Sequence, residues 1–307
     1  MKKVCVFVGS RANYSSIKSF MLELKNSKKF KLQIVCFASS LLDRYGTVID
    51  LIKKDKFKID YEIFSIIEGE NLVTMAKSTG LTLIEIPTVL EKLKPDFVLT
   101  VGDRYETMST AISSAYLNIP LIHTMGGELS GSIDESIRHS ISKLSNIHFV
   151  STKLSRKRLI QMGENPMNVH HVGCPRIDLV RKTLSKKINY KQLNHLLNYK
   201  YSKVGYNIDL EKPFIIISFH PVTTEYNRVK TNINEIMNSI KDFDIQKIIL
   251  WPNSDAGSAE ISRSYRKLRE NKIDSKISIY KNLPIDTYIK LMNICACIVG
   301  NSSSGIR

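Results

Sequence analysis

Short apolar runs that end in polar or glycine-containing turns, each followed by a segment of helical period, recur along the whole chain. This alternation restricts its fold more than any other feature. In the first half the runs cover residues 3–8, 32–38, 61–64, 97–101, 120–122 and 148–151, with helical patterns at about 15–24, 71–93 and 104–117. Strand alternating with helix predicts a parallel sheet with helices on both faces. A further run at 168–172 leads to Gly173-Cys174-Pro175-Arg176, which reads as a domain junction. A second series starts at 214–219 and continues at 247–251, 277–279 and 295–299. The expected architecture is therefore α/β, with two doubly wound parallel-sheet domains, residues 1–175 and 176–307. The Lys- and Asn-rich stretch 182–212 reads as helix plus linker without chemistry of its own.

Composition narrows the function. With 307 residues and 43% hydrophobic content the chain can bury a substantial core, and its length suits about two domains. No apolar run approaches the roughly 20 residues that a spanning helix needs, and Met1-Lys2-Lys3 leads straight into a strand pattern rather than a signal peptide. The five cysteines lie mostly in apolar runs and read as reduced, buried thiols of a cytoplasmic protein. A balance of 45 Lys+Arg against 29 Asp+Glu gives +16, which favours polyanions in general. The lysines are spread over the chain beside many Asn and Ile, so charge marks neither a nucleic-acid nor a membrane site.

Chemistry concentrates between residues 100 and 152. The run 97–101 ends at Gly102-Asp103-Arg104 and the run 120–122 ends at His123, so two strands deliver polar residues to one edge. Open α/β sheets bind ligands outside the carboxyl ends of their strands. Glu128, Asp134 and Glu135 follow in a Gly- and Ser-rich loop, with Arg138 and His139 at the start of the next helical segment. The first turn, Gly9-Ser10-Arg11-Ala12-Asn13-Tyr14, is neither a G-x-G-x-x-G fingerprint nor a Walker loop. Arg11 there suits a phosphate at a helix N-terminus or, equally, a solvated turn. The second half repeats the pattern: its runs end at His220-Pro221, Pro252-Asn253, Lys281-Asn282 and Gly300-Asn301-Ser302-Ser303-Ser304-Gly305. No His/Cys/Asp arrangement has metal-ligand spacing, and neither a metal nor a cofactor is expected. The chain stops at Arg307 where a helix should begin, which reads as a product truncated within its second domain.

Taken together, G-D-R-Y-E-T, H-T-M-G-G-E-L-S-G-S-I-D-E-S-I-R-H-S-I-S-K-L, S-F-H-P-V-T-T-E, W-P-N-S-D-A-G-S and G-N-S-S-S-G-I-R resemble the hydrolysing UDP-N-acetylglucosamine 2-epimerases, from Gly9 to Arg307. The resemblance implies two Rossmann-like domains facing across a cleft, in the manner of one large glycosyltransferase class. It implies a UDP-sugar substrate, release of UDP and inversion at carbon 2, in pathways to sialic or legionaminic acid-type sugars of surface polysaccharides. It also implies a homo-oligomer for the full-length protein. Position by position, Asp103 and Asp134 match the family's acid–base carboxylates and His220 its phosphate-side histidine. Ser302 and Ser303, in the turn closed by Gly305, match the serines that hold the diphosphate, and Arg11 matches the arginine of the first turn. Asn253 and the backbone of Lys281, Asn282 and Leu283 lie where the uridine is held. Glu128, Glu135, Arg104 and Arg138 sit in the same motifs.

Elimination of UDP across carbons 1 and 2 needs a base for the carbon-2 proton and donors for the departing diphosphate. Hydration of the resulting glycal needs an acid and a base. Three departures from the family pattern stand out. Met125 replaces a glutamate counted among the catalytic acids, Asn13 replaces the aspartate of R-A-D-Y, and the acidic ribose-binding residue falls beyond Arg307. They leave two alternatives beside the epimerase: a glycosyltransferase of the same architecture, and an inactive UDP-sugar-binding protein. Asp103 could instead cap the helix after it, and His139 and His148 read as core or supporting histidines.

Overall fold

A computed structural model describes residues 1–270 and 276–306; Arg307 lies outside the described residues. In chain order the elements are β1 (Lys2–Val8), α1 (Arg11–Asn26), β2 (Phe30–Phe37), α2 (Val48–Lys54), β3 (Tyr61–Ile63), α3 (Leu72–Leu93), β4 (Phe97–Val101) and α4 (Thr107–Tyr116). They continue with β5 (Leu121–Thr124), α5 (Ile133–Lys143), β6 (Ile147–Val150), α6 (Lys153–Gln161), β7 (Val169–His171), α7 (Pro175–Leu184), α8 (Tyr190–His195) and β8 (Lys203–Gly205). The last are β9 (Phe214–Ser218), α9 (Val229–Ile240), β10 (Gln246–Leu250), α10 (Ser258–Glu270), β11 (Ile277–Tyr280), α11 (Ile285–Ile294) and β12 (Cys297–Gly300). Two compact units result. The first comprises residues 1–43, 47–68 and 72–178; the second comprises 44–46, 69–71 and 179–307, so the division falls inside α7.

The first unit is a seven-stranded sheet in the order β3-β2-β1-β4-β5-β6-β7, all pairs parallel. Alternation along β1 shows why the strands are so apolar. Val4, Val6 and Val8 join one cluster with Ile17 and Met21 of α1, while Cys5 and Phe7 join the opposite one with Ile86 and Leu90 of α3 and Ala111 of α4. Both faces are covered, so each strand must be apolar on both sides. Burial drives the Cys36 thiol up to about 12 and the Cys5 thiol upward as well, and none of the five cysteines is in a disulfide.

The second unit is a five-stranded sheet in the order β12-β9-β10-β11-β8. Its four parallel strands follow the same two-sided rule: Ile215, Ile217 and Ile249 pack with Ile233 and Met237 of α9, and Phe214, Ile216 and Ile248 pack with Leu291 of α11. The reading of 182–212 as helix plus linker is corrected in its linker part. That stretch contributes Leu193, Leu197, Ile208 and Leu210 to the core, and its β8 pairs antiparallel with β11. Three residues at a sheet edge are too short to show a period in sequence.

Helix starts also shift. α1 begins at Arg11 rather than near Ser15, because Ser10 is its N-cap and accepts from the Asn13 N–H. Asp134 and Glu135 lie in the first turn of α5, not in the loop before it.

The turn after β5 depends on glycine. Gly127 has φ +75°, and a Cβ there would stand 2.5 Å from the Ser155 carbonyl oxygen. Gly127→Ala should lower unfolding free energy by about 1–3 kcal/mol through backbone strain and the clash; a urea melt that matches the parent would contradict this account of the turn.

Candidate active site

In the first unit β1 leads away to β2 on one side while β4 pairs with its other side, so the topological switch point falls between β1 and β4. There the sheet opens a crevice at its carboxyl edge. The turn after β1 and the residues after β4 both border it. Asn13, fully buried, locks the first of these turns: its Oδ1 accepts from the Gly9 N–H at 3.2 Å and its Nδ2 donates to the Val101 carbonyl at 3.2 Å. A carboxylate could accept the first bond but could not donate the second. Arg11, half-buried, is the first residue of α1 and lies beside this lock.

The strongest constellation is built around Arg138 of α5, which is 2% exposed. Its Nη2 donates to Asp103, delivered by β4, and to the Ser130 hydroxyl at 3.3 Å; its Nη1 donates to the Glu128 carbonyl at 2.6 Å. Burial lowers the guanidinium to about 10, so it remains a cation at neutral pH. One buried charge thus ties the residue after β4 to the loop after β5. Glu128 is half-buried in that loop, and Asp134 is half-buried on the first turn of α5.

Other predicted residues take supporting positions. Glu135 accepts from the Ser130 N–H at 2.6 Å and the Gly131 N–H at 3.0 Å, bonds that hold its carboxyl below the usual range and shape the loop. Arg104 donates through Nε to Glu106 at 2.7 Å. Glu106 is fully buried at the N-terminus of α4 and went unassigned in the sequence reading; only the R-Y-E spacing after β4 hinted at it. Removing one member of such a buried pair typically costs about 3–5 kcal/mol. Asp103 does not cap α4, since Glu106 holds the cap position and Asp103 is bound to Arg138.

Met125 is the residue directly after β5. It is 4% exposed, has φ +64°, and packs in the apolar cluster with Leu99, Val101 and Ile122. The departure from the family's glutamate therefore falls at a strand end and leaves a thioether there. His123 is structural: fully buried, with Nε2 2.8 Å from the Gly102 carbonyl and Nδ1 3.1 Å from the Ser142 hydroxyl. His148, buried, meets Glu164 at 3.1 Å, as suits a supporting histidine.

In the second unit the switch point falls between β9 and β12. Asn301 bridges the two strand ends, accepting from the His220 N–H at 2.9 Å and donating to the His220 carbonyl at 2.8 Å. The His220 Nδ1 accepts from the Asn253 N–H at 3.4 Å, which leaves the neutral ring's proton on Nε2. Asn253 also donates through its side chain to Asp255. The Ser302 hydroxyl lies 2.8 Å from that of Ser304, which in turn meets the Tyr288 hydroxyl at 2.8 Å; Ser303 and Gly305 are exposed in the same turn. Asn282 donates to the Gly46 carbonyl at 2.8 Å, and Lys281 is half-buried beside it. The carboxyl ends of β9, β10, β11 and β12 therefore gather His220, Asn253, Lys281 and Ser302 on one edge of this sheet. Among the described residues no group of three or more His, Cys, Asp or Glu could hold a metal ion, and no helix is long and apolar enough to cross a membrane.

Residues 22–307 match the profile of the UDP-N-acetylglucosamine 2-epimerase family. The chain belongs to this family. It is 34% identical over 310 residues to a GDP/UDP-N,N'-diacetylbacillosamine 2-epimerase (hydrolyzing) of Campylobacter jejuni subsp. jejuni serotype O:2, a match covering 99% of this chain and 77% of that protein. The UDP-N,N'-diacetylbacillosamine 2-epimerase (hydrolyzing) of Legionella pneumophila is 33% identical, over 100% of this chain and 78% of that one. Among solved structures, the UDP-GlcNAc 2-epimerase of Neisseria meningitidis bound to UDP-GlcNAc superposes with a TM-score of 0.76 at 20% identity, covering 98% of this chain and 78% of the other. That likeness establishes the shared two-sheet fold.

Burial depresses His123 of this family member to about 4 from the ordinary 6.5, and lowers His148 and His139 too. The unfolded chain therefore takes up protons first as pH falls. Stability is fully present above pH 6.5 and is lost as pH falls through about 4, at up to about 1.4 kcal/mol per unit from His123 alone. Denaturant melts between pH 7 and pH 5 should show this slope, and His123→Asn should flatten it; an unchanged slope in the variant would refute the assignment.

Proposed function

We propose that this chain is a hydrolysing nucleotide-sugar 2-epimerase acting on a UDP-linked 2-acetamido sugar. The observation that carries the reading is the Arg138 clamp, which joins Asp103 after β4 to the Glu128–Ser130 loop after β5. It does so in a chain whose relatives include hydrolysing UDP-sugar 2-epimerases at 33–34% identity.

In the first step a carboxylate of the Asp103, Glu128 and Asp134 group takes the carbon-2 proton. The carbon-1 to oxygen bond then breaks, its electron pair leaves with UDP, and a 2-acetamidoglycal forms. In the second, one carboxylate takes a proton from water as the water oxygen bonds to carbon 1, while a protonated carboxyl delivers hydrogen to the opposite face of carbon 2. The products are UDP and the free sugar inverted at carbon 2. Arg138 is assigned the positioning of Asp103, and Glu135 the shaping of the loop. In the second unit, His220 Nε2–H, the Ser302 and Ser303 hydroxyls and the N–H groups of their turn are donors suited to a diphosphate. Asn253, Lys281 and Asn282 are assigned to the uridine end, and Arg11 to the phosphates.

Two sugars fit the relatives: N,N'-diacetylbacillosamine, named in the Campylobacter and Legionella proteins, and N-acetylglucosamine, named in a Neisseria meningitidis protein 28% identical to this chain.

The test is incubation with each UDP-sugar in deuterated water without an acceptor. UDP should appear together with a free, 2-inverted sugar that carries deuterium at carbon 2, and Asp103→Asn and Asp134→Asn should each lower turnover by about 100-fold or more. UDP release with unlabelled carbon 2 would replace elimination by simple hydrolysis, and UDP binding without turnover would favour the binder.

A further inference from the structure

We propose that Glu70 is a positioning residue of the second unit: its buried carboxylate joins two short chain segments that brace the turns assigned to the uridine end of the substrate. The inference rests on that assignment and deepens it. The second unit takes in residues 44–46 and 69–71 from the first half of the chain. One Glu70 carboxylate oxygen accepts from the Tyr45 hydroxyl at 2.8 Å and lies 2.6 Å from the Arg44 guanidinium. The Glu70 side chain is 8% exposed and Tyr45 is buried, with the Arg44 guanidinium also over the Tyr45 ring at 5.7 Å. A carboxylate removed from water is kept only where charge and hydrogen bonds replace its hydration. Segments 44–46 and 69–71 are therefore tied to each other through one side chain.

Each segment gives a backbone carbonyl to a different turn. Gly46, next to Tyr45, accepts from Asn282 Nδ2 at 2.8 Å, and the Glu70 carbonyl accepts from the Gly257 N–H at 2.7 Å. Asn282 lies in the turn after β11, and Gly257 closes the turn after β10 that contains Asn253. Both segments hold unusual backbone to do so. Gly46 has φ +86°, and a Cβ there would run into the Asn282 side chain. Glu70 has φ +39°, in the left-handed region that residues with a Cβ seldom take. Such a conformation persists only where its surroundings over-determine it, and here Arg44 and Tyr45 supply them.

The way the base is held makes this brace matter. The family resemblance places uridine on the backbone of Lys281, Asn282 and Leu283, and a backbone group cannot correct a misplaced turn by changing rotamer. The Asn282 amide donates to Gly46, so its side chain serves to fix its own turn and recognition falls to the backbone. The ladder register between β10 and β11 ends at Leu250 and Tyr280, with the Trp251 N–H still donating to the Tyr280 carbonyl at 2.9 Å. Past those strand ends the Glu70 bridge spans the two turns instead. The proposed diphosphate donors follow β9 and β12, whose ends Asn301 joins separately.

Calorimetry with UDP and, separately, with inorganic pyrophosphate tests this. The parent chain should bind both. Glu70→Ala should raise the UDP dissociation constant by about tenfold, the scale of one lost hydrogen bond, while the pyrophosphate constant stays within about twofold of the parent value. Glu70→Gln keeps an acceptor for Tyr45 but loses the charge facing Arg44, and should fall between the parent and Glu70→Ala. Gly46→Ala attacks the brace from its other end and should give the same selective loss, with circular dichroism checking that each variant is folded. If the parent binds UDP, an unmoved UDP constant in the variants, or an equal loss for UDP and pyrophosphate, overturns this inference and leaves the proposed reaction standing. A parent chain that binds no UDP overturns the nucleotide-sugar reading and this inference with it.

Discussion

Two-sided burial of the parallel sheets is the constraint from which the other features follow. Where Val4, Val6 and Val8 face one cluster and Cys5 and Phe7 the other, no residue of the strand interior is available for polar chemistry. The candidate functional groups lie instead where strands end and helices begin. In the first unit Asp103 follows β4, Arg11 opens α1, and Asp134 and Arg138 lie on α5; His220, Asn253, Lys281 and Ser302 follow strand ends in the second. Strand order then decides which ends border a crevice, since only at a switch point do neighbouring connections leave in opposite directions.

Within that frame, positioning falls to buried polar side chains in small numbers. Arg138, buried beneath the loop after β5, meets Asp103, the Glu128 carbonyl and Ser130 with one guanidinium. Asn13 does the same for the first turn, and its neutrality is what lets it both accept from Gly9 and donate to Val101. Asn301 is the counterpart in the second unit, joining β9 and β12 through both backbone groups of His220. Each device links two strand ends that are distant in sequence.

The alternation of apolar runs and turns, written in the sequence, was enough to determine two parallel α/β units and the strand ends that carry Asp103, His220 and Ser302. Period and turn chemistry are local properties, and local properties are legible in a linear chain. Family motifs extended the reading to Glu128, Asp134 and Arg138. What the sequence did not determine was the partner of each side chain. Met125, directly after β5, is seated in an apolar cluster, and Arg104 is tied to a buried Glu106. The stretch 182–212 read as helix plus linker and supplies β8 and four core side chains as well. In each case the decision belonged to contacts formed after the chain had folded back on itself, because burial and pairing depend on which neighbours tertiary packing brings close.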